Sequence, residues 1–227
     1  MNRIVKLSSK DKNSLLRLPF LGAVDEESAL SLMEAASLQT LSPRHVLFRE
    51  GEPAEHLYCV LNGYVRLFRT SRDGREADVR ICGPGETFND CLIFGADQNR
   101  YSAQIAESCT LARLELSRIK AMIEADTKLA KAVIENLSKS ALTSMECVAN
   151  DRLQTAPQRV AHYLITQAPG EKGSYSLRLP FQKSVLAGKL GLAPEALSRA
   201  FSSLRNCGVI VRGRVIQIND TAALRQV

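Results

Sequence analysis

The chain has 227 residues, 45% of them hydrophobic, and a formal net charge of +6. That length accommodates two domains of roughly 100 to 200 residues each. No run of 18 apolar residues occurs and residues 1–10 lack the apolar core of a signal peptide, so a membrane-spanning helix is excluded and a soluble, cytoplasmic protein is expected.

Residues 12–40 carry Leu15, Leu16, Leu18, Phe20 and Leu21, then Ala29, Leu30, Leu32, Met33, Ala36 and Leu38, at helical spacing. They predict short helices packed on a strand-rich domain that begins near Val46. From Val46 the period changes to that of strands: 46–48, 56–61, 64–69, 77–81, 102–105 and 110–116. Turn signals separate them at Gly51-Glu52-Pro53, Asn62-Gly63, Asp73-Gly74 and Gly83-Pro84-Gly85. Short strands at this spacing predict a small antiparallel double-sheet roll.

A long helix is expected over residues 117–148. Ala130, Val133, Leu137, Ala141, Met145 and Val148 follow i+3/i+4 steps, a narrow apolar seam suited to pairing with a second copy across a two-fold axis. A helix packed on its own domain is the alternative. Asn150-Asp151 reads as a hinge, 157–167 as an amphipathic helix and 175–179 as a strand. The segments 209–211 and 214–218 read as a hairpin wing.

Between strand and wing, Val185, Leu186, Leu190, Leu192, Leu197, Phe201 and Leu204 keep helical spacing, interrupted at Gly191 and restarted at Pro194. Glycine can take the left-handed conformation that ends a helix, and proline suits the first helical position. The pair reads as a helix-turn-helix whose second helix enters a DNA major groove. Glu195, Ser198 and Arg199 then face the base edges. A buried helical hairpin is the competing reading. Lys183, Lys189, Arg205, Arg212 and Arg214 are candidate phosphate contacts, which fix position and affinity but not sequence. From Arg152 onward there are eleven Lys or Arg against three acids, a basic module attached to a nearly neutral body. The six cysteines, Cys59, Cys82, Cys91, Cys109, Cys147 and Cys207, are scattered, and are read as reduced, largely buried thiols.

The segment Gly191-Leu192-Ala193-Pro194-Glu195-Ala196-Leu197-Ser198-Arg199 resembles the recognition helix of the cyclic-AMP receptor/FNR (Crp/Fnr) family of bacterial transcription regulators. Gly51-Glu52-Pro53-Ala54, Asn62-Gly63-x-Val65-Arg66-Leu67 and Gly85-Glu86 resemble marks of that family's cyclic-nucleotide-binding domain. The resemblance implies an α+β protein: an N-terminal antiparallel β-roll (residues 1–116), a long central dimerisation helix (117–149) and a C-terminal winged helix-turn-helix (150–227). It also implies a homodimer on inverted half-sites resembling TTGAT, with RNA polymerase as a partner. In dimer terms the seam is Val133, Leu137, Ala141, Met145 and Val148. Ala193 departs from the family's usual Ser or Thr cap, a loss of about 1 kcal/mol.

For the effector, the resemblance places a pocket at Gly85, Glu86, Phe88, Arg100, Tyr101 and Ser102. Family members that bind a cyclic phosphate carry an Arg directly before the Ser/Thr-Ala pair, and here that position is Tyr101. Arg100 is one residue off and faces the other side of a strand, while Asp90 is unfavourable near an anion. These residues argue against cyclic AMP, though a true cyclic-nucleotide regulator stays as the alternative. An FNR-type iron–sulfur cluster would need several cysteines near the N-terminus, and none precedes Cys59. The departure resembles the nitric-oxide-responsive DNR-type branch, which implies haem, with His45, His56 and His162 as the available imidazoles. A metal-dependent enzyme on a similar roll would need a converging His/acid cluster, and only His45 and His56 fall in that region.

Overall fold

The computed structural model describes residues 3–5, 15, 26–95, 97–170 and 173–227. The chain forms two compact units, Met1–Ser144 and Met145–Val227. The helices expected from Leu16, Leu18, Phe20 and Leu21 lie outside the described residues.

In the first unit the order is β1 (Arg3–Val5), α1 (Glu26–Ala35), β2 (Ser37–Leu41), β3 (Val46–Phe48), β4 (His56–Thr70), β5 (Glu76–Cys82), β6 (Thr87–Phe88), a 3₁₀ turn (Asp90–Ile93), β7 (Ser102–Glu115) and α2 (Leu116–Ala125). The long helix α3 (Thr127–Leu153) comes next. All strand pairing is antiparallel, in the order β1-β2-β7-β4-β5, with β3 on β7 and β6 on β4.

Alternation along the two long strands sorts their side chains into two cores. Leu57 and Cys59 of β4 and Ala112 and Leu114 of β7 pack against α1, α2 and the start of α3. Tyr58, Val60, Val65 and Leu67 join Ala103, Ile105 and Leu111 with Phe48 and Phe88 in the roll interior.

The structure corrects several expectations. Asn62-Gly63 makes no hairpin turn: β4 runs unbroken from His56 to Thr70, with register shifts between Val60 and Val65. Gly63 has φ +81°, and a Cβ there would lie 2.1 Å from the Ser108 carbonyl oxygen. The pair therefore makes a bulge that bends paired strands, and β7 is likewise continuous across residues 106–109. Residues 37–40 are strand rather than helix.

The expected single helix over 117–149 is broken at Asp126, whose N–H donates to the Met122 carbonyl at 2.9 Å. Its Oδ1 accepts from the Lys128 N–H at 2.9 Å, ending α2 and capping α3. Asn150-Asp151, expected as a break in the chain, lie within α3, which continues to Leu153. Val133 is 2% exposed in the roll's helical core and Leu137 packs against it, so neither belongs to a free seam. Ala141 is exposed, and Ile134, Leu142, Met145, Val148 and Leu153 are each at least half exposed. The cysteines are also less buried than expected: Cys91 and Cys147 are exposed and Cys207 is half-buried.

The second unit contains α4 (Ala156–Thr166), β8 (Tyr175–Arg178), α5 (Lys183–Lys189), α6 (Pro194–Ser203), a 3₁₀ turn (Leu204–Cys207), β9 (Val209–Arg212), β10 (Val215–Ile218) and α7 (Thr221–Leu224). The three strands pair antiparallel in the order β8-β10-β9. Val160, Leu164, Val185, Leu186, Leu197, Phe201, Ile216 and Ile218 are buried in its core. Thr155 and Gln158 open α4 with a reciprocal capping box. Among the described residues no helix is long and apolar enough to cross a membrane.

Candidate nucleic-acid interface

α5 and α6 are joined through Gly191, which has φ +60°. A Cβ at that position would meet the Asp151 carboxylate at 3.1 Å and the Arg159 guanidinium at 3.3 Å. Arg159 Nη1 donates to Asp151 Oδ1 at 2.5 Å and to the Leu190 carbonyl at 2.9 Å. One guanidinium thus ties the end of α3 to the carbonyl that closes α5.

α6 starts with Pro194 in its first turn after Ala193, whose extended backbone carries no side-chain cap. Glu195 in that turn interacts favourably with the helix dipole. Leu197, Ala200 and Phe201 are buried, whereas Glu195, Ser198, Arg199 and Ser202 are exposed. No ion pair joins Glu195 to Arg199 among the described residues, so each is available to a partner. Ser198 Oγ donates to the Pro194 carbonyl at 3.0 Å, leaving its lone pairs to accept. A base-edge donor is what that hydroxyl can meet without rotating.

Lys183, Lys189, Arg205, Arg212 and Arg214 are all exposed. Lys189 Nζ lies 5.9 Å from the Phe181 ring centroid, which draws its side chain toward its own domain. Arg178 was missed in the sequence, although alternation along 175–178 marks it as the outward residue beside buried-side Leu177. It is exposed at the end of β8.

The six residues expected to line an effector pocket are spread over the turn before β6, the roll interior and the start of β7. Glu86 Oε2 accepts from the Gly83 N–H at 2.5 Å and Oε1 from Arg80 at 3.3 Å, so its carboxylate staples the turn that Gly85 enters with φ +85°. Phe88 is 1% exposed in the roll interior, stacked on Tyr58 at 4.9 Å between centroids. Arg100 is exposed. Ser102 Oγ accepts from the Glu50 N–H at 3.0 Å.

Tyr101 packs its ring 6.2 Å from that of Phe48 and its hydroxyl donates to Asn89 Oδ1 at 2.9 Å. Burial raises the Tyr101 phenol far above its ordinary value, so it is a neutral donor. Asn89, 1% exposed and left-handed at φ 67°, also donates to Asn99 Oδ1 at 2.9 Å and to the His56 carbonyl at 3.3 Å. Asp90, 8% exposed, accepts from Thr87 Oγ1 and Asn136 Nδ2 at 3.3 Å each. The chain's own polar groups therefore satisfy this loop, in which Tyr101 offers no cation and Asp90 brings negative charge. The residues that build it, Asn89, Asn99 and Asn136, carry no periodic signal in the sequence.

A haem requires an axial ligand with a free lone pair. Arg113 Nη2 lies 3.0 Å from His56 Nε2 and can only donate, so that nitrogen is the acceptor of a neutral imidazole. Burial and Arg113 both lower the His56 pKa. His56 does not fit an axial role. His162 is exposed on α4 and His45 half-buried before β3. Among the described residues no group of three or more His, Cys, Asp or Glu could hold a metal ion.

Comparison with known proteins matches residues 38–126 to the cyclic nucleotide-binding domain and residues 158–227 to the Crp-like helix-turn-helix domain. The nitrogen fixation regulation protein FixK of Rhizobium meliloti is 27% identical over 188 residues, spanning 82% of this chain and 84% of that one. The CRP-like cAMP-activated global transcriptional regulator of Mycobacterium tuberculosis is 24% identical over 205 residues, spanning 88% and 92%. Among solved structures, a putative cyclic nucleotide binding protein from Ruegeria pomeroyi has 28% identity and a TM-score of 0.66, covering 95% of both chains. FixK2 from Bradyrhizobium japonicum, at 23% identity and a TM-score of 0.70, covers 84% of this chain and 96% of its own, and shares the fold. The matched domains and the FixK and CRP-like relatives are those of transcription regulators rather than enzymes, which removes the metal-dependent enzyme reading. With a roll matching the first domain and an exposed recognition helix inside the second, the chain belongs to the Crp/Fnr family of DNA-binding transcription regulators.

Proposed function

We propose that the protein acts as a cytoplasmic homodimer that reads inverted-repeat half-sites resembling TTGAT and works with RNA polymerase. The observation that carries this reading is the placement of Glu195, Ser198 and Arg199 on the exposed side of α6, opposite buried Leu197, Ala200 and Phe201. Arg pairs in bidentate fashion with guanine, and Glu accepts from cytosine N4. Pairing along α3 is supported by the large apolar side chains left in solvent, Met145 at 70% exposure among them, since a monomer rarely exposes several at helical spacing. An inverted repeat in turn matches a two-fold protein.

The effector of this reading is not a cyclic nucleotide. Tyr101 and Asp90 support that: the first is hydrogen-bonded to Asn89 in place of a phosphate-binding cation, and the second adds a carboxylate. A DNR-type haem sensor stays within the proposal only through an imidazole other than His56. Fluorescence anisotropy on a duplex with two inverted TTGAT half-sites tests the reading. Two chains should bind per duplex, with a Kd unchanged by cyclic AMP. A strict requirement for cyclic AMP would overturn the effector reading, and binding no stronger than to random duplex would overturn the site. A hemin titration without a Soret shift removes haem.

A further inference from the structure

Six polar side chains are buried among the described residues, and four of them, Thr87, Asn89, Asp90 and Asn99, lie in the loop from Thr87 to Tyr101. Burying polar groups costs free energy unless each is hydrogen-bonded, so such a concentration needs partners. The chain supplies them. Asn99 Nδ2 donates to the Glu52 and Pro53 carbonyls at 3.2 and 3.1 Å, and its Oδ1 accepts from Asn89, which in turn accepts from the Tyr101 hydroxyl. None of these side-chain atoms is left buried without a partner.

Asp90 carries the network to α3. Its Oδ1 accepts from the Cys91 N–H at 3.0 Å, and its Oδ2 accepts at 3.3 Å from Thr87 Oγ1 and from Asn136 Nδ2. Leu92 and Ile93 of the same turn pack in the helical core with Ile119, Ile123, Leu129 and Val133. Asn136 follows Val133 by three residues and Leu129 by seven, so all three share the face that α3 turns to the roll. Ile134 and Ala141 lie about 140 to 160° around the helix from Asn136 at 3.6 residues per turn, and both are exposed. Apolar contacts are non-directional and tolerate a rotated helix, whereas a hydrogen bond favours one rotation. The Asn136 bond is thus the directional element that sets which side chains α3 presents outward.

We propose that this loop is a built-in brace: Asn136 is a positioning residue that sets the rotation of α3 through Asp90, and the chain's own side chains hold the pairing face ready with no small ligand in the loop. The proposal rests on the homodimer reading and deepens it by assigning its regulation: DNA binding follows from folding and pairing, not from occupancy of the loop. A ligand entering there has to replace bonds already made, and each buried group it leaves unpaired costs free energy. Arg80, whose guanidinium donates to the Thr87 carbonyl and to Glu86 Oε1 at 3.3 Å each, closes the same loop from β5.

The test uses the full chain in two arms. Protein unfolded in guanidinium chloride, dialysed, and refolded without nucleotide or haem should dimerise and bind the duplex with two inverted TTGAT half-sites as tightly as protein never unfolded. A requirement for added cyclic AMP or hemin would overturn the proposal while leaving the DNA-binding reading intact. In the second arm, Asn136→Ala and Thr87→Val each remove one donor from the same Asp90 oxygen, but only the first reaches α3. The melting temperature should fall in both. Sedimentation equilibrium should show the dimer weakened about tenfold in Asn136→Ala, the loss of one hydrogen bond to a charged group, and unchanged in Thr87→Val. An unchanged dimer in Asn136→Ala, or equal weakening in the two variants, would put loop stability rather than helix rotation at stake and overturn the proposal. Failure of protein never unfolded to dimerise, or to bind the duplex, would sink the reading on which the proposal rests.

Discussion

The recognition helix and the loop from Thr87 to Tyr101 pose opposite problems for one chain. On α6 the functional groups point away from the protein, and only the buried Leu197, Ala200 and Phe201 hold them in place. In the loop the buried polar groups are turned on one another: Tyr101 to Asn89, Asn89 to Asn99 and Asp90 to Asn136. The difference teaches that a surface reader can be specified by local periodicity, whereas a closed sensor loop is specified by which distant groups satisfy one another. Polar groups this buried are costly unless hydrogen-bonded, so the loop's conformation is set by its partners.

The largest expected effect breaks the roll that supports the loop. Gly63→Ala would force a Cβ against the Ser108 carbonyl in a left-handed backbone. It should destabilise the protein by roughly 3 kcal/mol or more, read by denaturant unfolding. Arg199→Ala should cost about 1 to 3 kcal/mol on the cognate duplex and leave random-duplex affinity nearly intact, because a base contact carries sequence information and a phosphate contact does not. Equal losses on both duplexes would place Arg199 with the backbone contacts instead.

Tyr101→Phe removes the hydroxyl from Asn89 while keeping the ring against Phe48. A loss of about 1.5 kcal/mol in stability with unchanged DNA affinity is expected, since a buried amide is left short of a donor. An unchanged melting temperature would show that the loop does not depend on its own network. Ala193→Ser supplies the missing cap on α6 and should add about 0.5 to 1 kcal/mol. Circular dichroism melts would read the gain.

The smallest effect is that of pH. The His56 pKa is lowered in the folded chain by burial and by Arg113, against the opposing charges of Glu55 and Glu115. As pH falls below about 6.5, the unfolded chain takes up a proton that the folded chain refuses, so stability drops with falling pH. His56→Gln should flatten that dependence in melts recorded between about pH 7 and 5.5.

Much of the second unit was legible because its signals are short-range. Gly191 and Pro194 punctuate two helices, and alternation in 209–212 and 215–218 marks the wing. The errors lie where distant contacts decide. Asn62-Gly63 has hairpin chemistry, yet pairing of β4 with β7 on both sides of the dipeptide turns it into a bulge. Val133 and Leu137 have seam spacing, but the roll's helical core covers them, while Met145 and Val148 stay exposed.

Residue order alone determined the succession of roll, helix and winged helix-turn-helix, and it determined that Glu195, Ser198 and Arg199 share a helix face. Periodicity and turn chemistry act over a few residues and are read directly from the chain. Only the folded chain decided that Tyr101 is held by Asn89, that Glu86 serves its own turn, and that Asn136 is bonded to Asp90. Each of those depends on strand register or on a hydrogen bond between residues far apart in sequence, and no local pattern encodes which distant partner a side chain will meet.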